Sequence, residues 1–320
     1  MKGCAHVALQ ALCHRIGRFT KLGLLGLVLI GADAALAESA FNHRGNLLIA
    51  DQFNNRVIEV DRAGNIVWQF GVGPDDVSAA SIVGTNDAQR VGASTLMAGT
   101  GAPPGTEPAC PNGCADNRVL LVNRHGHIRW QYGQFGVTGA GPNELNTPVQ
   151  ATWTPEQTVL ITDQVNERII EVNLDKEILW QYGQTGVAGI GPNQLNNPNS
   201  AELLENGHTP ITDSNNNRVV EVDAHDHLVW QYVTNTQKGS NSAPLPTRAI
   251  RTRDGKTIIS DQFNDRVIIV DMDGNIVASF GNLNAPGFGK TNASEGLNAP
   301  YDAKRIGDYT GLTPPVEDED

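Results

Sequence analysis

The sequence predicts an all-β fold, a β-propeller made of four-stranded blades, from three observations. A unit of about fifty residues recurs along the chain, a period typical of propellers and other repeat folds. Short runs rich in Val, Ile, Trp and Tyr fill each unit, and turn residues separate them. The runs are apolar on both faces, as strands are when neighbouring sheets cover them. We therefore expect sheets set as blades around an axis rather than stacked pairs of helices.

An Asp-x-x-Asn-x-Arg motif marks four of the five copies of the unit. The motif begins at Asp51, Asp163, Asp213 and Asp261. The remaining copy, which starts at Asn117, has lost the leading Asp because an insertion with two cysteines stands there. A tryptophan recurs in four copies, at Trp68, Trp130, Trp180 and Trp230. Ala278 takes its place in the last copy.

Each copy contains enough β-rich runs for a four-stranded sheet. In the third copy, Val159 to Thr162, Arg168 to Val172 and Ile178 to Tyr182 predict three strands. A recurring Leu-Asn-x-Pro stretch supplies a strand ahead of these three. That stretch begins at Leu145, Leu195 and Leu297.

The two ends of the chain indicate how the ring closes. The last Leu-Asn-x-Pro stretch runs into Pro314-Pro315 where a second strand should follow, whereas the first copy has room for only a truncated first strand. The C-terminal segment therefore supplies the missing strand, which predicts five blades closed by strands from both ends. A sixth, irregular blade from residues 282 to 312 is the alternative.

Gly-x-Gly-Pro-Asn-x-Leu-Asn-x-Pro followed by Asp-x-x-Asn-x-Arg-Val-x-Glu-Val resembles the NHL repeat. The resemblance covers nearly all of residues 39–306. It implies a propeller, but relatives with this repeat include lyases, receptor sensor domains and proteins that bind protein or RNA. The resemblance therefore does not choose an activity.

The N-terminus has the layout of a secretory signal peptide over residues 1–37. Basic residues precede an apolar run from Leu22 to Ile30, and cleavage is expected after Ala37. The predicted domains are this signal, the propeller at residues 38–308, and an acidic, disordered tail at residues 309–320. The mature protein is expected in the periplasm or outside the cell.

Charge and hydropathy exclude two classes of partner. Removal of the signal takes away four basic residues and one acidic residue, so the net charge moves from −12 to −15. Nucleic acid is an unsuitable partner for such a surface, because affinity for phosphates rests on clustered Lys and Arg. After cleavage, no stretch approaches the roughly 20 apolar residues of a membrane span, and an uncleaved N-terminal anchor is the alternative.

Cysteine and histidine do not indicate a metal site. Cys110 and Cys114 remain after cleavage, and a local disulfide is expected in an oxidising compartment. Two thiolates alone make a poor zinc site. The two His-x-His pairs begin at His125 and His225 and align with hairpin turns of other copies, so we interpret them as exposed turn residues.

Residues that every blade shares are best explained by the scaffold, so a site is expected where the copies differ. The two positions after the recurring Pro differ most, and they belong to first strands, which line the central channel. We predict a polar ring at one mouth of the channel. Its members are Arg90, Gln150, Asn199, Arg248, Tyr301 and Asp302. The two arginines favour a small anionic ligand.

Two functions remain open at this point. The first is an exported module that binds a ligand or a partner protein, because no recognisable nucleophile, phosphate loop or metal constellation is present. The second is a propeller enzyme, a lyase or hydrolase, with its site at the channel mouth. The sequence indicates no cofactor.

Overall fold

The computed structural model describes residues 41–288, 292–293, 296–303 and 305. Within these residues the chain is all-β. The strands are β1 (Leu47–Asp51), β2 (Arg56–Val60), β3 (Ile66–Phe70), β4 (Thr85–Val91), β5 (Ser94–Ala102), β6 (Cys114–Asn123), β7 (Ile128–Gly133), β8 (Pro148–Trp153), β9 (Val159–Asp163), β10 (Arg168–Val172), β11 (Ile178–Tyr182), β12 (Pro198–Ala201), β13 (Thr209–Asp213), β14 (Arg218–Val222), β15 (Leu228–Val233), β16 (Arg248–Arg251), β17 (Thr257–Asp261), β18 (Arg266–Val270) and β19 (Ile276–Gly281).

These strands form the blades of a five-bladed β-propeller, which confirms the predicted fold. Blade 1 contains β1 to β3, blade 2 contains β4 to β7, blade 3 contains β8 to β11, blade 4 contains β12 to β15 and blade 5 contains β16 to β19. Successive strands within each blade pair antiparallel, as in β8 with β9 and β9 with β10. The predicted signal at residues 1–37 and the tail at 309–320 lie outside the described residues. No helix in the described part is long and apolar enough to cross a membrane.

The Asp-x-x-Asn-x-Arg motif builds the turn between the second and third strands of a blade. In blade 3 a short 3-10 turn, Gln164–Asn166, is followed by Glu167 in the left-handed region at φ 58°. Asp163 accepts hydrogen bonds from Nε of Arg168 at 2.7 Å and from Nδ2 of Asn166 at 2.7 Å. The carboxylate therefore joins both ends of the turn, which explains why the motif recurs.

Blade 2 preserves the carboxylate–guanidinium pair by a different route. The sequence has no Asp five residues before Arg118. Instead Asp116 Oδ1 lies 2.5 Å from Arg118 Nε, and its Oδ2 accepts the backbone N–H of Val83 at 2.6 Å. The insertion moves the carboxylate to another position and keeps the ion pair.

Apolar clusters fill four of the interfaces between blades. Between blades 2 and 3, for example, Leu96 and Tyr132 pack against Ile161 and Ile170, all fully buried. Comparable clusters join blades 1 and 2, blades 3 and 4, and blades 4 and 5. Burial of apolar surface between blades is the main stabilising term, since each blade alone would expose both of its faces.

The recurring tryptophans link each blade to the outer turn of the next. Trp130 Nε1 donates to the carbonyl oxygen of Leu174 at 2.9 Å, and Trp230 Nε1 donates to that of Met272 at 2.9 Å. Trp68 and Trp180 make the corresponding contacts in their blades. Ala278 has no indole to offer, so blade 5 lacks this link to blade 1.

A second repeated hydrogen bond shows how the ring closes. The left-handed residue after the second strand of each blade accepts the backbone N–H that leads into the first strand of the next. The bonds run from Gly84 to Asn55, Thr147 to Asn117, Asn197 to Glu167, Leu245 to Asn217 and Ala299 to Asp265. Ala299 therefore stands where a first strand begins, and residues 299–303 and 305 occupy that position for blade 1.

Candidate functional site

The register of each first strand against its second strand identifies the side chains at the channel. Gln150 lies opposite Thr162, and Arg248 lies opposite Ser260. The residue of blade 2 at the same level is Asp87, which pairs with Ala98. Sequence alignment had placed Arg90 there, three residues too far along, because blade 2 has no Pro to anchor the comparison.

Arg90 lies between blades 1 and 2, away from the channel ring. Its Nη2 is 2.6 Å from Glu59 Oε2, and its Nη1 donates to Thr95 Oγ1 at 2.6 Å. The guanidinium also stacks over Phe41, at 4.0 Å from the ring centroid. Burial lowers the pKa of Arg90 to about 10, although Glu59 opposes that shift. Arg90 thus serves packing and ion pairing, and the predicted ring with two arginines is wrong.

Arg248 is the guanidinium that does face the channel, and carboxylates surround it. Its Nη2 lies 3.7 Å from Asp87 Oδ1 and its Nε lies 3.6 Å from Asp302 Oδ1. Burial alone would lower the pKa of Arg248, but the charges of Asp87, Asp302 and Glu202 outweigh it and raise that pKa. One buried cation therefore faces three carboxylates, and the cluster is acidic overall.

Above this cluster the mouth is polar and partly open. The Tyr301 hydroxyl donates to Asn199 Oδ1 at 3.0 Å, although the two residues are 102 positions apart in the chain. Tyr301 is 40% exposed and the Asp302 side chain is 34% exposed, whereas Gln150 is buried. Gln150 Oε1 accepts the N–H of Ala201 in the next blade at 2.7 Å, so its role is to join blades.

All six predicted ring residues belong to the first strands or the closing segment, but Arg90 lies too far along β4 to reach the ring. Four of the other five meet in two contacts. Asn199 with Tyr301 and Arg248 with Asp302 form the accessible site. Asp87 was missed by sequence reasoning. A strand-register argument from the first strand of blade 2 would have found it, but the insertion in that blade obscures the register.

Three of the described histidines make their contacts outside the mouth cluster. His125 and His127 stand in the outer hairpin turn of blade 2, where the backbone N–H of each donates to Asn123 Oδ1. His208 Nδ1 lies 2.8 Å from Glu221 Oε1. Within the described residues, no group of three or more His, Cys, Asp or Glu side chains is arranged to hold a metal ion.

The insertion of blade 2 forms a loop closed by a disulfide between Cys110 and Cys114. The backbone N–H of Gly105 donates to the carbonyl oxygen of Pro111 at 3.0 Å, so the loop also folds back on itself. Glu107 is buried within it. The insertion offers a second surface that the other blades lack.

Comparison with solved structures gives the fold of this chain and little beyond it. The virginiamycin B lyase of Staphylococcus aureus matches with a TM-score of 0.50 and 15% identity, over 76% of this chain and 68% of the lyase. A streptogramin B lyase matches with a TM-score of 0.51 and 14% identity, over 76% and 66%. The chain thus spans about two thirds of each lyase.

A protein of unknown function from Bacteroides caccae is similar to the same degree. Its TM-score is 0.50 at 13% identity, over 75% of this chain and 74% of that one. No protein-family model matches the sequence, and comparison with curated proteins gives no match. The chain has the fold of a β-propeller. At these identities a shared fold does not carry over an activity.

Proposed function

We propose that this protein is an exported propeller of the NHL-repeat type that acts as a binding module, with its recognition site at the channel mouth. The observation that carries the proposal is the cluster at the mouth, in which Tyr301 and Asp302 stay accessible above the buried Arg248. These side chains differ from their equivalents in other blades, so the scaffold does not need them. Concave polar sites with a few convergent groups are typical ligand sites.

The charges at the mouth favour a different ligand from the one that the sequence suggested. An anion was expected when Arg90 and Arg248 were placed together. With Arg90 elsewhere, Arg248 is compensated by Asp87 and Asp302, and the accessible group is a carboxylate. Ligands that present N–H donors or positive charge, such as an amine or a basic peptide, therefore suit this site better.

Catalysis at the mouth is the second function considered, and the likeness to the two lyases is a likeness of fold alone. A hydrolase or lyase would need a general base or an activated nucleophile beside the ligand. Of the described carboxylates at the mouth, Asp302 is the most exposed, and its Oδ1 lies 3.6 Å from Arg248 Nε. This carboxylate is engaged with a guanidinium and is not placed as a separate base beside a nucleophile, so the geometry supports binding better.

A thermal-shift screen of the mature protein, residues 38–320, tests the proposal. Polyamines, basic peptides, divalent metals and anionic metabolites form the screen. A ligand at one hundred times its Kd stabilises the native state by about 2.7 kcal/mol. For a domain of this size that raises Tm by roughly 5–10 °C.

Variants then locate the site. Asp302→Asn and Tyr301→Ala should abolish the shift given by a cationic ligand, whereas Asp273→Asn, in an exposed turn of blade 5, should leave it unchanged. Shifts that only anions produce, or that survive both substitutions at the mouth, would refute the site. A hit among the metals that disappears with Asp302→Asn would favour the enzyme instead.

Export is a separate part of the proposal and rests on the layout of residues 1–37. Cleavage after Ala37 predicts a mature N-terminus of Glu38-Ser39-Ala40. Intact mass spectrometry of the protein recovered from the cell envelope or the medium checks it. A protein that keeps Met1 and stays in the cytoplasm would contradict export without affecting the binding site.

A further inference from the structure

The interface between blades 5 and 1, called the seam below, is built differently from the other four. Leu47 and Ile49 on β1 point toward blade 5 and are 62% and 38% exposed. The equivalent residues of blade 3, Val159 and Ile161, are fully buried against blade 2. Within the described residues, no apolar cluster joins blade 5 to blade 1.

Blade 5 presents a cavity to this seam. The cavity has a volume of about 300 Å³. It is lined by Ile258, Val267, Ile269, Phe280, Ala303 and Arg305. Four of these residues occupy positions that in blade 1 pack against or bond to blade 2. The seam therefore has the position of an ordinary interface, and the part of the chain that the structure describes does not fill it with side chains as the other interfaces are filled.

Two substitutions in blade 5 explain the cavity. Ala278 stands where the other blades have tryptophan, which removes the largest side chain of the interface. Ile269 stands where blade 1 has Glu59 and blade 4 has Glu221, each of which pairs with an arginine of the next first strand. Arg305 holds that arginine's place in the closing segment but meets Ile269, an aliphatic side chain.

Arg305 brings a guanidinium to the rim of the cavity. Its Nη1 lies 3.7 Å from Asp254 Oδ2, and the same oxygen is 2.6 Å from Lys256 Nζ. Hydrogen bonds from Lys256 and Thr252 hold the pKa of Asp254 well below its usual range. The Arg305 side chain is 39% exposed and stands beside the apolar lining, where a ligand in the cavity can reach it.

We propose that the seam is a second binding site, for a small molecule with an apolar body and a single anionic group. The apolar body fills the cavity between Ile258, Ile269 and Phe280, and the anion pairs with Arg305. A carboxylate or sulfonate on an aromatic or aliphatic body has this chemistry. An apolar cavity of about 150 Å³ admits benzene, so the seam has room for about two fused rings or a medium acyl chain.

The experiment uses 8-anilinonaphthalene-1-sulfonate, a fluorescent aromatic sulfonate, with the mature protein. Fluorescence should rise to saturation at one probe per protein, and decanoate should displace the probe. Calorimetric titration with decanoate should give the same single site. If neither titration shows saturable binding, the proposal is overturned.

Two variants restore what the other blades have at the seam. Ile269→Glu places a carboxylate against Arg305, as Glu59 stands against Arg90, and Ala278→Trp fills the cavity. Both should abolish binding of the probe. Ile269→Val keeps the cavity apolar and is the matched control, expected to bind. If Ile269→Glu or Ala278→Trp folds and still binds the probe, the site is not the seam.

Arg305→Gln tests the anion contact at a partly exposed position, where a change is compatible with folding. It should weaken decanoate by about tenfold, the effect of losing roughly 1.4 kcal/mol, and leave decanol unaffected. Equal loss for both would show that Arg305 only shapes the cavity, and the anionic part of the proposal would fall. Ile269 and Ala278 make none of the contacts described at the channel mouth, so ligands of that site should bind Ile269→Glu and Ala278→Trp normally.

Discussion

Replacing the motif aspartate should destabilise the protein far more where that aspartate is buried than where it is partly exposed, although the motif is the same. In blade 4, Asp213 is fully buried and accepts bonds from Arg218 Nε at 2.6 Å, Asn216 Nδ2 at 2.8 Å and the N–H of Asn196 at 2.7 Å. In blade 1, the Asp51 carboxylate pairs with Arg56 Nε at 2.7 Å. The side chains of that pair are 25% and 28% exposed.

The magnitudes follow from what each substitution leaves behind. Asp213→Ala leaves a buried guanidinium and two other donors without their acceptor. Loss of one partner of a buried ion pair costs about 3–5 kcal/mol of stability. Asp51→Ala leaves Arg56 with access to water, so its cost should be about 1 kcal/mol or less. The two variants remove the same atoms from the same position of the turn, so the difference in their stability reports the effect of burial.

Urea denaturation followed by tryptophan fluorescence measures both. With a slope near the upper end of the usual range, about 3 kcal/mol/M, Asp213→Ala should lower the midpoint by about 1–1.5 M. Asp51→Ala should lower it by about 0.3 M or less. Equal shifts for the two variants would refute the argument that burial makes the motif essential. A larger shift in the midpoint for Asp51→Ala than for Asp213→Ala would contradict the argument outright.

Three further outcomes are expected. Gly183→Ala should destabilise the protein far more than Gly186→Ala. Both glycines have positive φ, but a Cβ on Gly183 would lie 2.2 Å from a backbone oxygen, whereas a Cβ on Gly186 would meet open space. Equal decreases in Tm for the two variants would contradict this. The pKa of Asp223 is held at about 2, chiefly by the backbone N–H of His227 and further by other hydrogen bonds and the charge of that histidine. Asp223 therefore contributes stability above pH 3.8, and this stability is lost as the pH falls toward 2. His227→Ala should raise that pKa part of the way to 3.8 in a carbon-13 NMR titration, and an unchanged value would show that the side chain plays no part. Trp180→Phe should cost about 0.5–1.5 kcal/mol in urea by removing one indole hydrogen bond between blades, and an unchanged midpoint would mean that the bond contributes nothing net.

The repeat made the fold predictable because every blade solves the same packing problem with the same residues. The strands of blades 3 and 4 follow from the β-rich runs that begin at Arg168 and Arg218, and the closing strand follows from the recurrence of Pro300. Blade 2 was harder to predict. Its insertion relocates the motif carboxylate to Asp116, which no periodic pattern anticipates.

The site was less predictable than the fold, since it depends on register and on contacts distant in sequence. A shift of three residues in one first strand exchanged Asp87 for Arg90 and reversed the expected charge of the mouth. The bond from Tyr301 to Asn199 spans the ring and appears only when the ring is closed. Repeat alignment identifies positions that vary, whereas the structure shows which of them meet.

The closing segment also determines when this propeller can become complete. Residues 299–303 and 305 follow all nineteen strands defined above in the chain, and they supply the bond from Ala299 to Asp265 and the contact of Tyr301 with Thr247. Until they are made, the ring has an open side. Folding of the full ring must therefore wait until this closing segment has left the ribosome, when every blade strand is already available to meet it.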